Sequence, residues 1–244
     1  MDATRVLVLG GTAEARGLAD VLATAGLDVV TSLAGRTHAP RLPAGDVRIG
    51  GFGGVDGLAD WLRTNRVDAV VDATHPFAVA ITANAADATA RLGIPFAVLR
   101  RPGWQPRAGD DWHWVDSVAD ANRLLPDLGG RVFLATGQGE LAAFAGRDDL
   151  WFLLRTVDPP PPPLPTHHVI ITGRGPFDVD GESALLRDHV IDVLVTRDSG
   201  GEHTAAKLVA ARRLALPVVI ARRPPLPDVP VVATEQAALD WLTR

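Results

Sequence analysis

Short β-branched runs alternate with Ala/Leu-rich stretches along this 244-residue chain, and that alternation limits the possible folds more than any other feature. Residues 6–9 are followed by a helical pattern over about 14–25. Runs at 29–33 and 47–49 come next, then a helical pattern over about 55–65 and a run at 69–72. The short runs are continuously apolar rather than alternating, as strands covered on both faces must be. They therefore predict a parallel sheet between two layers of helices. A second series at 132–135, 151–155, 169–171, 193–196 and 218–221 repeats the arrangement. The class is α/β, and nine strands in two series fit two sheets better than one.

The division is expected within 126–130, giving lobes 1–126 and 127–244. The five-proline run 159–163 is expected to be a stiff, extended surface connection inside the second lobe. A repeat supports the two-lobe organisation. Ile94-Pro95-Phe96-Ala97-Val98-Leu99-Arg100-Arg101-Pro102 has a counterpart 122 positions on in Leu216-Pro217-Val218-Val219-Ile220-Ala221-Arg222-Arg223-Pro224. Each copy is followed by a strand-like pair and a capped helix, opened by Ser117 and by Thr234. Equivalent halves would match the loop after 69–72 with the loop after 193–196. Ligands of open α/β sheets bind at the carboxyl ends of strands, so an interlobe cleft lined by these loops is the expected site.

Composition removes several classes. A net charge of −5 offers no basic face for a phosphate backbone, so nucleic acid is not an expected partner. With no Cys there are no disulfides, no thiolate chemistry and few ways to build structural zinc; no metal site is expected. With no Tyr, the Tyr-x-x-x-Lys pair of short-chain dehydrogenases is impossible. Neither a leader pattern nor a run of about 20 apolar residues is read, so a soluble cytoplasmic protein without membrane contact is expected. The oligomeric state is left open, and a monomer would suffice.

Residues 6–9 run into Gly10-Gly11-Thr12-Ala13-Glu14-Ala15-Arg16 and a helix. Such glycines let a backbone approach a pyrophosphate beside the positive helix end, although the spacing is not Gly-x-Gly-x-x-Gly and a plain tight turn is the alternative. After the second strand, an acidic residue would select a ribose 2′-hydroxyl. Here stand Ser32, Arg36 and Thr37, which suit a 2′-phosphate and favour NADPH over NADH, unless Arg36 is merely a solvated cation. Gly50-Gly51-Phe52-Gly53-Gly54 sacrifices backbone entropy without packing in return, as a loop hugging a ligand does. In Asp72-Ala73-Thr74-His75-Pro76-Phe77-Ala78, Pro76 is placed in a first helical turn. His75 is a general acid, an orienting donor or a helix-start residue.

In the second half, Asp198-Ser199-Gly200-Gly201 resembles a trypsin-like nucleophile loop only superficially, because this chain is cysteine-free α/β. His167 and His168 are adjacent on a strand and point to opposite faces, so they do not form a metal pair. Of 24 cationic residues, Lys207 is the one lysine. It is expected one turn after Thr204, in the second turn of a helix, where a compact cation serves as an anion contact or proton donor. An unreplaced surface lysine is the alternative.

Together the Gly10–Arg16 opening, Ser32 to Arg36, the 50–54 loop, the 72–78 string, Arg101-Pro102, Asp198-Ser199-Gly200, Lys207 and Arg223-Pro224 resemble the precorrin-6A reductase family of corrin biosynthesis. The 72–78 string is the most specific of these. The resemblance covers nearly the whole chain. It implies NADPH-dependent reduction of a ring carbon–carbon double bond in precorrin-6A, giving precorrin-6B, within two Rossmann-like lobes and without metal or flavin. On that reading the first lobe binds the cofactor through the motifs above, including Gly53, Gly54 and Thr74. The second lobe and Phe77 bind a many-carboxylate tetrapyrrole through Arg197, Asp198, Ser199, Gly200, Thr204, Lys207, Arg222 and Arg223. Lys207, His75, Asp198 or a water is the candidate for proton delivery. Two non-enzymatic readings also fit the lobes: an NADP(H)-sensing regulator and a two-lobed binder of acidic metabolites.

Overall fold

The computed structural model describes residues 4–35 and 42–244. Arg36 and Thr37, expected to select the cofactor phosphate, lie outside those residues. The elements in chain order are β1 (Arg5–Leu9), α1 (Ala13–Thr24), β2 (Asp28–Leu33), β3 (Asp46–Ile49), α2 (Val55–Thr64), β4 (Ala69–Asp72), α3 (Val79–Leu92) and β5 (Phe96–Leu99). There follow β6 (Trp112–Val115), α4 (Leu125–Leu128), β7 (Arg131–Ala135), β8 (Trp151–Thr156), β9 (His168–Thr172), α5 (Val179–Asp188) and β10 (Val193–Arg197). Last come α6 (Ala206–Arg213), β11 (Val218–Ala221), β12 (Val231–Val232) and α7 (Glu235–Leu242).

The strands form two six-stranded sheets, ordered β12-β5-β4-β1-β2-β3 and β6-β11-β10-β7-β8-β9. Every pairing is parallel. The first is the doubly wound Rossmann order, and the second is the same arrangement with its edge strand β6 first rather than last in its unit, so the expected α/β class with two Rossmann-like lobes holds.

The expected lobe boundary does not hold. One unit comprises the chain up to Pro102 together with Pro224–Arg244, and the other is Gly103–Arg223. The segment 126–130 is no hinge: it spans the end of α4 and leads straight into β7 within the second unit. The physical reason is strand exchange. After β5 the chain leaves to place β6 beside β11, and after β11 it returns to place β12 beside β5. Each sheet thus obtains its sixth strand from the other half of the sequence.

The repeat occupies equivalent positions in the two sheets. Arg100 N–H donates to Val232 O at 2.8 Å, and Arg222 N–H donates to Val115 O at 2.8 Å. At the turn preceding each copy, Gly93 (φ 67°) matches Ala215 (φ 53°), 122 positions on. A left-handed alanine costs about 1–2 kcal/mol, and glycine gives back roughly 0.4–1 of that in unfolded-chain entropy. Ala215→Gly is therefore expected to stabilise the protein by about 0.5–1 kcal/mol, read as a raised urea midpoint. A lowered midpoint would show that the methyl group's packing outweighs the strain.

Period-two geometry explains why β1 is apolar at every position. Leu7 and Leu9 pack with Leu58, Leu62, Ala85 and Ala88 from α2 and α3 on one face. Val6 and Val8 pack with Ala15, Leu18 and Leu22 from α1 and Ala238 from α7 on the other. The five-proline run lies between β8 and β9, where no helix intervenes. Among the described residues, no helix is long and apolar enough to cross a membrane.

Candidate active site

In the first unit the carboxyl ends of β1, β2, β3 and β4 carry the loops singled out in the sequence. Chain order reverses between β1 and β4, the position at which such sheets take ligands. Gly10 donates its N–H to Ser32 O at 2.9 Å. A Cβ at Gly10 would stand 2.8 Å from Thr31 Cγ2, so close approach of β1 and β2 requires glycine there. Gly11 has φ 117°, and a Cβ there would meet nothing within 4 Å: the turn is open on that side. Thr12 is the N-cap of α1. Its Oγ accepts the Ala15 N–H at 3.0 Å and donates to Ala73 O at 2.7 Å, fastening the glycine turn to the end of β4. The glycine turn and Ala13 therefore stand at the positive end of a twelve-residue helix.

Two charged residues of this motif are engaged. The Glu14 carboxylate pairs with Arg101 at 2.5 Å, and Arg16 Nη1 donates to Thr12 O at 3.1 Å. A carboxylate in the first turn would repel a phosphate; the Arg101 guanidinium offsets that charge.

Sequence reasoning missed Arg48. From β3, its Nη1 donates to Ser32 Oγ at 2.8 Å and to Gly50 O at 2.9 Å, and its Nη2 donates to Gly51 O at 3.0 Å. Its guanidinium lies 3.8 Å from the centre of the Phe52 ring. Burial lowers its pKa from the ordinary arginine value, but a guanidinium stays charged. Arg48 thus joins Ser32 to the glycine loop and places a fixed positive charge at the end of β2. The available signal was an arginine two residues before a glycine-rich loop. It was obscured because Arg48 sits inside a strand pattern. Cβ atoms at Gly50, Gly51, Gly53 or Gly54 would meet nothing within 4 Å.

The 72–78 segment differs in detail from the sequence expectation. Asp72 is buried and accepts from Thr74 N–H at 2.9 Å and Thr82 Oγ1 at 2.5 Å, which ties β4 to α3. The helix begins only at Val79, so Pro76 is not in its first turn. Ala78 N–H donates to His75 O at 2.7 Å, making Pro76 the second residue of a tight turn, where its fixed φ fits. His75 Nδ1 accepts the Phe77 N–H at 3.3 Å, so the neutral ring carries its proton on Nε2.

In the second unit the loop after β10 is a compact construction around Asp198 and Trp104. Asp198 is buried. Its Oδ1 accepts the Trp104 N–H at 3.0 Å, and its Oδ2 lies 3.1 Å from Arg223 Nε, which also donates to Asp198 O at 3.0 Å. Both carboxylate oxygens are thus occupied by structural donors, which argues against Asp198 as a proton donor. Arg223 is correspondingly committed to Asp198. Trp104, a second residue the sequence reading missed, is buried and donates its indole N–H to Gly201 O at 3.0 Å.

Lys207 is 7% exposed and lies in the first turn of α6, not the second. Its Nζ donates to Thr204 O at 2.7 Å and lies 4.8 Å from the Trp104 ring centre. Thr204 belongs to a short 3₁₀ turn preceding α6, and its Oγ1 donates to Gly200 O at 2.8 Å. Ser199 N–H donates to Arg197 O at 2.7 Å. Arg197 Nε stands 3.4 Å from Glu140. Arg222 lies apart from this group, its half-exposed side chain near Asp116 at 3.6 Å and Trp114 at 5.3 Å.

A family model described as precorrin-6x reductase CbiJ/CobK matches residues 5–243. A precorrin-6A reductase of Rhodococcus erythropolis is 57% identical over 241 residues, covering 98% of this chain and 97% of the relative. One from Mycobacterium tuberculosis is 50% identical over 241 residues, with coverage of 98% and 97%. A solved structure titled CobK precorrin-6A reductase superposes with a TM-score of 0.93 at 45% identity, covering 98% of this chain and 96% of that one.

Proposed function

Starting from the fact that the chain belongs to the precorrin-6x reductase CbiJ/CobK family, we propose that it reduces precorrin-6A with NADPH as hydride donor and Lys207 as proton donor. The reaction saturates one carbon–carbon double bond of the macrocycle, giving precorrin-6B in cobalamin biosynthesis, in the cytoplasm. One carbon receives hydride, its neighbour receives a proton, and oxidised cofactor leaves. The relatives at 57% and 50% identity carry the name of the metal-free substrate, which supports that form over a cobalt-loaded one. The observation that carries the reading is that one chain of this family holds both an open glycine turn at the N-terminus of α1 and a buried lone lysine beyond β10.

When bound, NADPH supplies the hydride. The protein's own contribution begins with the turn Gly10-Gly11-Thr12, whose bare backbone and helix end suit a pyrophosphate. Ser32 and Arg48, with Arg36 and Thr37, supply hydroxyls and positive charge for a 2′-phosphate. Gly51 to Gly54 and Thr74 to Pro76 border the same sheet edge, where His75 acts as an orienting group. In the second unit, Lys207 delivers the proton. Phe77, Arg197, Ser199, Gly200, Thr204 and Arg222 are assigned to the substrate, the arginines because many carboxylates must be met locally in a chain of net charge −5. Asp198 and Arg223 support this edge from behind.

The cofactor assignment is tested by titrating NADPH and NADH separately into the native protein, Arg36→Ala and Arg48→Ala. The native chain is expected to prefer NADPH. Loss of one charge-assisted contact to the phosphate should weaken NADPH binding by about tenfold to a hundredfold and NADH binding far less. Equal binding of both dinucleotides by the native protein would overturn the assignment.

A further inference from the structure

We infer that Trp104 is a positioning residue for Lys207, a role that rests on the proposed function of Lys207 as proton donor. A long, flexible side chain delivers a proton efficiently only if its ammonium is held in one place. The Thr204 carbonyl at 2.7 Å and the face of Trp104 at 4.8 Å both hold it here. An indole face attracts a cation most strongly where water is excluded, and both side chains are buried.

Trp104 is itself pinned at both ends. Its backbone N–H is on Asp198, and its indole N–H is on Gly201 O. Gly200, next to Gly201, accepts from Thr204 Oγ1. These supports of Lys207 thus converge on one short loop. The repeat provides an internal control. The position matching Trp104, 122 residues on, is Leu226, which simply packs against the apolar cluster around Leu7. An aliphatic side chain therefore satisfies the fold at this place, whereas the second unit carries a ring with a cation-binding face and an N–H.

The test is a double-mutant cycle on kcat with precorrin-6A and NADPH, using Trp104→Leu, Lys207→Ala and the pair, with Trp104→Phe as the conservative variant. Trp104→Leu is expected to lower kcat by roughly ten- to thirtyfold while leaving the Kd for NADPH unchanged. Trp104→Phe, which keeps an aromatic face, should recover most of that loss. In the Lys207→Ala background, removing the indole should lower kcat no further. Should Trp104→Leu fail to fold, Trp104→Phe carries the test through its smaller loss, which must likewise vanish without Lys207. Equal losses in both backgrounds, or an unchanged kcat in Trp104→Leu, would overturn the inference while leaving Lys207 as donor. An unchanged kcat in Lys207→Ala alone would overturn both.

Discussion

Lys207→Ala is expected to lower kcat for precorrin-6A reduction by about 10²- to 10⁴-fold, the range for loss of one positioned acid–base group. The Kd for NADPH should stay within about twofold, because Lys207 is assigned to the proton and not to the cofactor. The expectation draws on three observations: Lys207 is the one lysine among 24 cationic residues, it is 7% exposed, and it is held by a carbonyl and an indole. Retaining a buried ammonium where every other cation is arginine needs a purpose, since an arginine fork cannot release a proton at neutral pH. Stopped-flow kinetics at saturating cofactor would measure the loss directly. Undiminished turnover would remove Lys207 from the reaction.

Asp198→Ala should act differently, as a loss of stability of about 3–5 kcal/mol. It leaves the Arg223 guanidinium, whose side chain is 12% exposed, without its carboxylate, and leaves the Trp104 N–H without its acceptor. Chemical denaturation would show the midpoint falling steeply. The contrasting result, a fully stable protein with lowered kcat, would return Asp198 to the list of proton donors. Gly103 points the same way as the stability expectation. A Cβ there would come within 2.5 Å of Asp198 Oδ2, so the chain between Pro102 and Trp104 is fitted closely around this carboxylate.

The parallel sheets could be read from the sequence because a strand covered on both faces advertises itself: Val6 to Leu9 are all essentially inaccessible. The 122-residue repeat was legible for the same reason, since β5 and β11 are the same kind of strand in the same place. Strand exchange was not legible. Trp112–Val115 and the two-residue Val231–Val232 look like ordinary short strands, and nothing local states which sheet a strand will join. Only pairing with β11 and with β5 decides that, and those partners lie far away in sequence. This is why a boundary at 126/127 was expected where the units divide at Pro102/Gly103 and Arg223/Pro224.

The glycine turn, the 72–78 segment and Lys207 were legible because they depart from what packing alone requires. Arg48 and Trp104 were hidden behind ordinary roles. An arginine within a short edge strand reads as solvent-facing, and a tryptophan after Arg-Pro-Gly reads as core. Only distances reveal that Arg48 binds Ser32 and two glycine carbonyls, and that Trp104 lies beside an ammonium. Asp198 reads as chemical in the sequence because it is a carboxylate in a glycine loop; that both its oxygens meet structural donors is visible only in the structure.

The most direct test of the account is a single turnover of precorrin-6A with NADPH deuterated at the transferred position of the nicotinamide, following cofactor absorbance and the mass of the product. The account predicts stoichiometric cofactor oxidation and one carbon-bound deuterium in precorrin-6B, with the second new hydrogen drawn from solvent. Cofactor that binds but is not oxidised in the presence of substrate, or product that carries no deuterium, would contradict it.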